Sequence, residues 1–477
     1  MMSFSVLGAF LWLRLKSYHR AFLSILIPNP DCLLDTNDPA FYVEPIMKYP
    51  KIDPRLFIKN RQRFSKQLKP NSVAVLNSND FMPTSADGYH SFIQQTDLFY
   101  LSGIDQEETL LVIYPDAPEK KHKEILFIME TNEQIATWEG QKHSKETAQD
   151  ISGIKTVHWT SELAGILRPL IIQSENIYLN TNEHPRAAVT VETRDMRFLE
   201  WCRQAFPLHH YERLAPIMHD LRAVKSPLEI ELIKEACSIT GKAFRRLLGF
   251  IRPGVWEYEV EAEIVHEFMR NRSRGPAFET IVASGTDACT LHYVKNDKQC
   301  HKGDLVLIDF GAEYANFAAD VTRTVPVSGT FSKRQKEVYN AVLKIQKAAI
   351  KMLKPGNALA AYQEKVVELM EAELIRLGVL KKADIKKQSA DSPLYKKFFP
   401  HGTSHHLGLD VHDYGDKYRK FEPGMVLTCE PGIYIRDESI GVRIENDILI
   451  TQKGPVDLTK TIPREVEEIE DLMNQGK

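Results

Sequence analysis

The sequence of 477 residues contains few of the features that mark secreted, membrane-spanning or nucleic-acid-binding proteins. Its six cysteines are scattered and form no CxxC pair, which is typical of reduced thiols in a cytoplasmic compartment. No apolar run reaches the roughly 18 residues of a membrane span. The net charge of −3 provides no basic surface for nucleic acid. We therefore expect a globular protein without a membrane span or a nucleic-acid partner.

The first 46 residues differ in composition from the rest of the chain. Two apolar runs, FSVLGAFLWL and AFLSILIP, are separated by basic residues, and no acidic residue occurs before Asp31. This pattern resembles a mitochondrial presequence. The alternative is a translation start at Met47, because MKYPKIDPRLF leads directly into the first domain. We expect a cytoplasmic protein, or a mitochondrial one if residues 1–46 are a genuine presequence.

The length predicts two or three domains. In residues 47–215 the strand-like runs SVAVLN, ETLLVIYP, EILFIME and IYLN alternate with helix-like stretches, which predicts an α/β layer structure. Ser226-Pro227 predicts a helix start, with Ser as the N-cap and Pro in the first turn. Residues 216–477 are predicted to form a second domain that contains all the candidate site residues.

Five residues of the second domain have the chemistry of ligands for hard metal ions. Each lies in a short motif of its own; they are Asp309, Asp320, His405, Glu430 and Glu445. Four carboxylates balance two divalent ions, and such ions activate water for hydrolysis at neutral pH. The oxygen-rich set, without a thiolate, favours Mn²⁺ over a structural Zn²⁺. The sequence therefore predicts a site for two divalent ions.

The spacing of Asp309 and Asp320 predicts a β-hairpin that brings the two carboxylates together. Asp309 ends the apolar run DLVLIDF, and strand-like composition resumes at Ala319. A turn centred near Tyr314 and Ala315 would place Asp309 directly opposite Asp320, with Cβ atoms about 5 Å apart. A cation would relieve their repulsion. The alternative is a surface hairpin with two unrelated acids.

Two more segments predict site residues from strand geometry. If GVRIENDILI is one strand, Arg443 and Glu445 share a face, so Arg443 supports a neighbouring carboxylate while Glu445 reaches a metal. The alternative is an edge strand with a solvated charged face. Glu430 precedes a Pro-Gly turn at the end of MVLTC, and Cys429 then points into the core.

These motifs resemble those of the aminopeptidase P branch of the pita-bread metallopeptidases, which also include prolidases, methionine aminopeptidases and creatinase. The order Asp, Asp, His, Glu, Glu and the step of 11 residues between the aspartates match, as do HGTSHHLGLDVHD, EPGIYI and GVRIEND. The resemblance runs from about residue 60 to residue 467. It implies an α/β (α+β) protein, with an N-terminal α/β domain and a C-terminal pita-bread catalytic domain.

The resemblance also implies roles for individual residues. Asp320 and Glu445 would bridge the two ions, and Glu430 would be both a ligand and a proton acceptor. The catalytic residues implied are His292, His401, His412, Glu430 and Arg443. His406, the neighbour of the ligand histidine, is expected to pack rather than bind metal.

The implied function is release of the N-terminal residue from peptides with proline in the second position. The alternative is a prolidase, which cleaves Xaa-Pro dipeptides. FYLSG and the Ser404-His405 pair favour aminopeptidase P. YHSFIQQTDLFYLSGI is the predicted wall of the cleft, unless Phe99 and Tyr100 are ordinary core strand residues. By resemblance we also expect a homo-oligomer, a dimer or a tetramer.

Overall fold

The computed structural model describes residues 49–389 and 391–475. The N-terminal extension and the possible start at Met47 lie outside these residues. Within the described part, no helix is both long and apolar enough to cross a membrane.

The first part of the chain is built on a mixed six-stranded sheet in the order β4-β3-β2-β1-β5-β6. The four strand-like runs of the sequence form β1, β2, β3 and β5, and their inward positions are fully buried. The strands are β1 (Ser72–Asn77), β2 (Leu110–Ile113), β3 (Glu124–Ile128), β4 (Thr156–Trp159), β5 (Asn176–Leu179) and β6 (His210–Arg213). Helices cover both faces, which explains why the strands are almost continuously apolar.

Helices lie between the strands of this part as the sequence predicts, except between β2 and β3, which a short 3₁₀ turn (Lys120–His122) separates. The helices are α1 (Arg55–Ser65), α2 (Thr96–Ser102), α3 (Glu133–Glu139), α4 (Lys145–Ser152), α5 (Leu163–Gln173) and α6 (Arg194–Ala205). The predicted wall segment contains α2, which Gln95 caps at its start and Gly103 ends with φ of 70°. Phe99 and Tyr100 are buried in this helix. Both are therefore core residues, as the alternative predicts, although of a helix rather than of a strand. That the segment forms a wall of the cleft stays a prediction.

A connecting helix, α7 (Ala215–Ala223), leads into the second part of the chain. The helix start predicted at Ser226-Pro227 is confirmed. The Ser226 hydroxyl accepts a hydrogen bond from the Glu229 amide, and the Glu229 carboxylate accepts one from the Ser226 amide. This reciprocal capping opens α8 (Pro227–Phe250), the longest of the described helices.

The second part contains several short antiparallel sheets with helices packed against them. Its remaining helices are α9 (Glu257–Arg270), α10 (Lys333–Ile350), α11 (Leu359–Arg376), α12 (Lys382–Ile385) and α13 (Val466–Asn474). Its strands are β7 (Ile281–Ser284), β8 (Leu305–Phe310), β9 (Glu313–Tyr314), β10 (Phe317–Ala318), β11 (Val321–Pro326), β12 (Val426–Cys429), β13 (Gly432–Ile435), β14 (Ile440–Arg443), β15 (Asn446–Thr451) and β16 (Gly454–Asp457). The sheets run β11-β8-β7, β12-β15-β16, β13-β14 and β10-β9.

The hairpin between β8 and β11 differs from its predicted register. Asp309 pairs with Thr322, not with Asp320. The chain reverses at Ala315 and Asn316, one residue later than predicted, with φ of 53° and 68°. Two left-handed residues form the tight turn that suits a two-residue hairpin, and Ala315 carries no sequence signal for that conformation. Since the partner shifts by two positions, the alternation of side chains keeps Asp320 on the face of Asp309.

GVRIENDILI also differs from its prediction, because it is not one strand. β14 ends at Arg443 and pairs with β13, whereas β15 begins at Asn446 and pairs with β12. Glu445 lies where the chain passes from one sheet to the next, and its amide donates to the Thr322 carbonyl at 3.0 Å. Strand alternation alone therefore does not place Glu445.

Candidate metal centre

Four of the five predicted ligands meet around the His405 ring. His405 Nε2 lies 3.4 Å from Asp320 Oδ2 and 3.7 Å from Glu430 Oε1. One potential ligand atom from each of Asp320, His405 and Glu445 lies within 4.8 Å of the others. We call His405 and the four predicted carboxylates, including Asp309, the carboxylate cluster.

Local structure explains how these residues converge. Asp320 directly precedes β11, and Glu430 directly follows β12. A Cβ atom at Gly311 would collide with the Ala319 carbonyl. Glycine is therefore required at this position, where the first arm of the hairpin lies against the residue before Asp320. His405 is held by its amide, which donates to Thr428 Oγ1 at 3.2 Å. The cluster therefore draws on three separate sheets and one loop.

Arg443 ties Asp309 to the rest of the site. Its Nη2 donates to Asp309 Oδ2 at 2.5 Å, its Nη1 to the Tyr434 hydroxyl at 3.0 Å and its Nε to Thr322 Oγ1 at 2.9 Å. The Thr322 hydroxyl in turn donates to Glu445 Oε2 at 2.6 Å. Arg443 thus contacts a neighbouring carboxylate, although it and Glu445 do not share one strand, and through Thr322 it orients a second member of the cluster.

The electrostatics of the carboxylate cluster call for added positive charge. Burial, and then the charge of Asp309, raise the pKa of Asp320 well above its usual range. Burial, and then the charge of Asp320, do the same to the pKa of Glu445. Arg443 supplies one positive charge against four carboxylates, and Asp309 Oδ1 is buried without a hydrogen-bond partner. Such a donor set, rich in oxygen and in unbalanced negative charge, fits divalent metal ions.

His401 lies beside Glu430. Its Nδ1 is 3.4 Å from Glu430 Oε2, and its Nε2 shares a hydrogen bond of 2.8 Å with the Tyr434 hydroxyl. Burial acts to raise the pKa of Glu430, but the hydrogen bond and charge of His401, together with the charges of His405 and Arg443, outweigh it and hold this pKa at about 2. Glu430 is therefore ionised at neutral pH.

His412 packs against His405, the predicted ligand histidine. The ring centroids of His405 and His412 are 4.4 Å apart and the planes are nearly perpendicular. Burial, and then the charge of His405, lower the pKa of His412 to about 3, so its imidazole is neutral at physiological pH. His406 is buried, and its ring lies against Gly415, which is compatible with its expected packing role. Cys429 is also buried, as predicted.

His292 is not brought into this arrangement. It is exposed on the loop that follows the short 3₁₀ turn Gly285–Cys289. Among the described residues, we find no ion pair or hydrogen bond that links His292 to the carboxylate cluster. Its implied catalytic role stays a prediction.

Two family patterns match the chain: metallopeptidase family M24 over residues 231–452, and the aminopeptidase P N-terminal domain over residues 57–178. The Xaa-Pro aminopeptidase of Haemophilus influenzae is 36% identical over 439 residues, which cover 89% of this chain and 98% of the relative. The chain belongs to metallopeptidase family M24, in its aminopeptidase P branch. Both matched ranges fall inside the predicted domains 47–215 and 216–477, whose boundaries stay predictions.

Solved structures of aminopeptidase P have the same fold as this family M24 chain. The Pseudomonas aeruginosa aminopeptidase PepP is 32% identical with a TM-score of 0.81, and covers 89% of this chain and 99% of its own. The Escherichia coli aminopeptidase P with the inhibitor Pro-Leu is 35% identical with a TM-score of 0.79, and covers 89% and 98%. The predicted fold class is confirmed. Membership of the family makes the protein a metallo-exopeptidase that uses divalent metal ions.

Some residues of this M24 site were not singled out by sequence reasoning. Thr322 and Tyr434 connect Arg443 to the cluster, and both lie inside motifs already recognised. Asp447 is fully buried behind the cluster, where its Oδ2 accepts a hydrogen bond from the Asp320 amide at 3.0 Å. The signal for Thr322 was its position two residues after Asp320 on the same strand face. Asp447 ends the motif GVRIEND, but no local sequence pattern indicates that its carboxylate binds the Asp320 amide.

Proposed function

We propose that this protein is a metal-dependent aminopeptidase that releases the N-terminal residue from peptides with proline in the second position. The observation that carries the proposal is the carboxylate cluster, found in a chain that covers nearly the whole length of an Xaa-Pro aminopeptidase. Fold alone would not decide the function, because related folds support several chemistries. The cluster has the unbalanced negative charge that a hydrolytic metal centre needs.

Asp309, Asp320, His405, Glu430 and Glu445 would hold two divalent ions, with Mn²⁺ as the expected metal. When bound, such ions supply an activated water and polarise the scissile carbonyl. Glu430, which is ionised at neutral pH, would accept a proton, and His401 lies close enough to exchange it. His412 is neutral and would hydrogen-bond to the substrate rather than carry charge.

The surroundings of two buried arginines, Arg323 and Arg443, favour an aminopeptidase over a prolidase. A prolidase needs a cation for the free carboxylate of its dipeptide, because an unpaired buried charge is costly. Arg323 is fully buried and donates to backbone carbonyls, including that of Glu445. Arg443 is engaged by Asp309, and Arg436 is exposed and donates to the Cys289 carbonyl. Neither of the two buried arginines is free to bind a dipeptide carboxylate.

The test is a kinetic comparison of matched Xaa-Pro and Xaa-Pro-Yaa substrates after loading with Mn²⁺. We expect a higher kcat/KM for the tripeptide. An Xaa-Ala-Yaa tripeptide is the control for proline preference, and chelated protein is the control for metal dependence. A clear preference for the dipeptide would transfer the assignment to prolidase.

We also propose the assembly and the location in which this activity takes place. From the family resemblance we propose a homo-oligomer, a dimer or a tetramer, with peptides as substrates. From the cysteine pattern we propose a cytoplasmic location, or a mitochondrial one if residues 1–46 act as a presequence.

A further inference from the structure

A second cluster of buried charges lies beside the loop that carries His405 and His412. Arg222 Nη1 donates to Asp97 Oδ1 at 2.8 Å, and its Nη2 donates to Asp410 Oδ2 at 2.6 Å and Asp413 Oδ1 at 2.8 Å. Lys225 Nζ lies 3.0 Å from Asp413 Oδ2. We call these five residues the Arg222 cluster, and residues 405–415 the histidine loop.

The Arg222 cluster joins three parts of the chain. Asp97 belongs to α2 of the first domain, and the Asn180 side chain donates to its other carboxylate oxygen at 2.9 Å. Arg222 itself lies on the connecting helix α7, and also donates to Thr96 Oγ1 at 2.8 Å. Asp413 belongs to the histidine loop. A single guanidinium therefore links the first domain to the loop that reaches the metal centre.

The histidine loop is packed closely around Asp413. The Asp413 amide donates to the His406 carbonyl at 2.9 Å. A Cβ atom at Gly408 would collide with the Asp413 carboxylate, and one at Gly415 would collide with the His406 ring. The Tyr414 ring covers the Arg222 guanidinium at 4.7 Å. With this little free space, a displacement of Asp413 would be transmitted along the loop.

His412 directly precedes Asp413, and its ring packs edge-on against His405. We propose that Arg222 is a positioning residue that fixes the His412 ring beside His405, by holding Asp413 and anchoring it to Asp97 of the first domain. The proposal rests on the proposed function of His412 in substrate hydrolysis. Its physical basis is that a catalytic group displaced by about 1 Å can cost about 10²-fold in rate.

The first test variant is Arg222→Lys in the full-length, Mn²⁺-loaded protein. Lysine keeps the positive charge, but a single ammonium lacks the planar fork that reaches Asp97, Asp410 and Asp413 together. We expect kcat for an Xaa-Pro-Yaa tripeptide to fall about 10- to 10²-fold, with KM and metal content nearly unchanged. Asp97→Asn should act in the same direction, more weakly.

The matched control is Asp220→Asn. Asp220 also lies on α7, and its Oδ1 accepts from Arg419 Nη1 at 2.7 Å, just beyond the histidine loop. Both partners of this pair are partly exposed, unlike the buried pair Arg222 and Asp97. Its loss should leave kcat unchanged, which separates positioning of His412 from general anchoring of α7.

A double-mutant cycle with His412→Ala separates positioning from a merely structural role. If Arg222 acts through His412, Arg222→Lys and Asp97→Asn should have little further effect on kcat once His412 is alanine. Multiplicative effects in the double variants would overturn the proposal. If Arg222→Lys does not fold, the Asp97→Asn cycle decides.

A histidine-ring NMR spectrum of the metal-free protein gives a readout that does not need activity. The His412 resonance, assigned by its loss in His412→Ala, should shift in Arg222→Lys and Asp97→Asn but not in Asp220→Asn. An unchanged resonance in the first two variants would overturn the proposal. A wild-type protein inactive on Xaa-Pro-Yaa would instead contradict the proposed function, while the ring spectrum still decides the role of Arg222.

Discussion

Two clusters of buried acidic side chains lie close to the histidine loop, and they meet the same electrostatic problem in different ways. In the Arg222 cluster, burial acts to raise the pKa of Asp413, but Arg222 and Lys225 outweigh it and this pKa lies below its usual value. In the carboxylate cluster, burial and neighbouring acids raise the pKa of Asp320 well above its usual value. These two buried aspartates therefore differ because Arg222 and Lys225 outweigh burial at Asp413, whereas burial and neighbouring acids outweigh the charge of Arg443 at Asp320.

The two clusters differ in how far the cationic side chains of the protein balance the charge of their carboxylates. The Arg222 cluster has two cationic side chains for three carboxylates, and Asp410 is 39% exposed to solvent. The carboxylate cluster has one arginine for four carboxylates. An isolated buried charge is too costly to persist. Side chains of the protein therefore supply most of the positive charge in the Arg222 cluster, between the two domains. In the carboxylate cluster, which is proposed to bind metal, most of the negative charge is left unbalanced.

The largest expected difference between the two clusters comes from removing one predicted metal ligand from the carboxylate cluster. We expect wild-type protein reconstituted with Mn²⁺ to hold near two ions per chain, and Glu445→Ala to lose metal and most activity. The loss in kcat should exceed the roughly 10²–10⁴-fold effect of removing a general acid or base. Elemental analysis and tripeptide turnover measure both quantities. A variant that keeps both ions and full activity would remove Glu445 from the ligand set.

A smaller effect is expected from the histidines beside the ligands. His401→Ala and His412→Ala should lower turnover by about 10²–10⁴-fold while metal content is retained, because they contact ligands without belonging to the set. His301→Ala, an exposed histidine of the same domain, is the control. If either variant loses metal in proportion to activity, that histidine belongs among the ligands.

The smallest expected effect is a pH dependence of stability in the metal-free protein. The pKa values of Asp320 and Glu445 are raised in the folded state. Their contribution to stability is therefore fully present below the ordinary carboxyl pKa of about 4 and is lost as pH rises above it. Asp413, with its lowered pKa, contributes in the opposite sense. The slope is about 1.4 kcal/mol per pH unit for each proton involved.

This dependence is measured by urea unfolding of metal-free wild-type protein and Asp320→Asn between pH 5.5 and 7.5. We expect wild type to gain stability relative to the variant as pH falls. Equal pH slopes for the two proteins would contradict the raised pKa of Asp320, and Mn²⁺-loaded wild type should show a weaker dependence.

The sequence predicted the parts of this protein that have local signals. The buried strands, the capped start of α8 and the five ligand motifs were all accessible from residue pattern. The hairpin register was not, because left-handed backbone at Ala315 has no signature in an alanine. Nor was the break before Asn446, since an apolar alternation does not tell which strand a segment pairs with.

Long-range partners were the least accessible feature. Asp447 binds the Asp320 amide, and Arg222 binds Asp97 and Asp413. In each case the two partners lie more than a hundred positions apart in the sequence. A charge in the sequence indicates a solvated face unless its partner is known. The helix of Phe99 and Tyr100 was missed for a related reason, because a short apolar run is compatible with a strand or a buried helix.

The position of Glu445 between β14 and β15 also bears on how the protein folds. This carboxylate reaches the site only when both flanking sheets have paired, and the other predicted ligands lie as far back as Asp309. Contacts of such large sequence separation form late, because the loops between them must close first. We therefore expect a partly folded chain to lack the assembled centre, and bound metal to stabilise the finished fold by mass action.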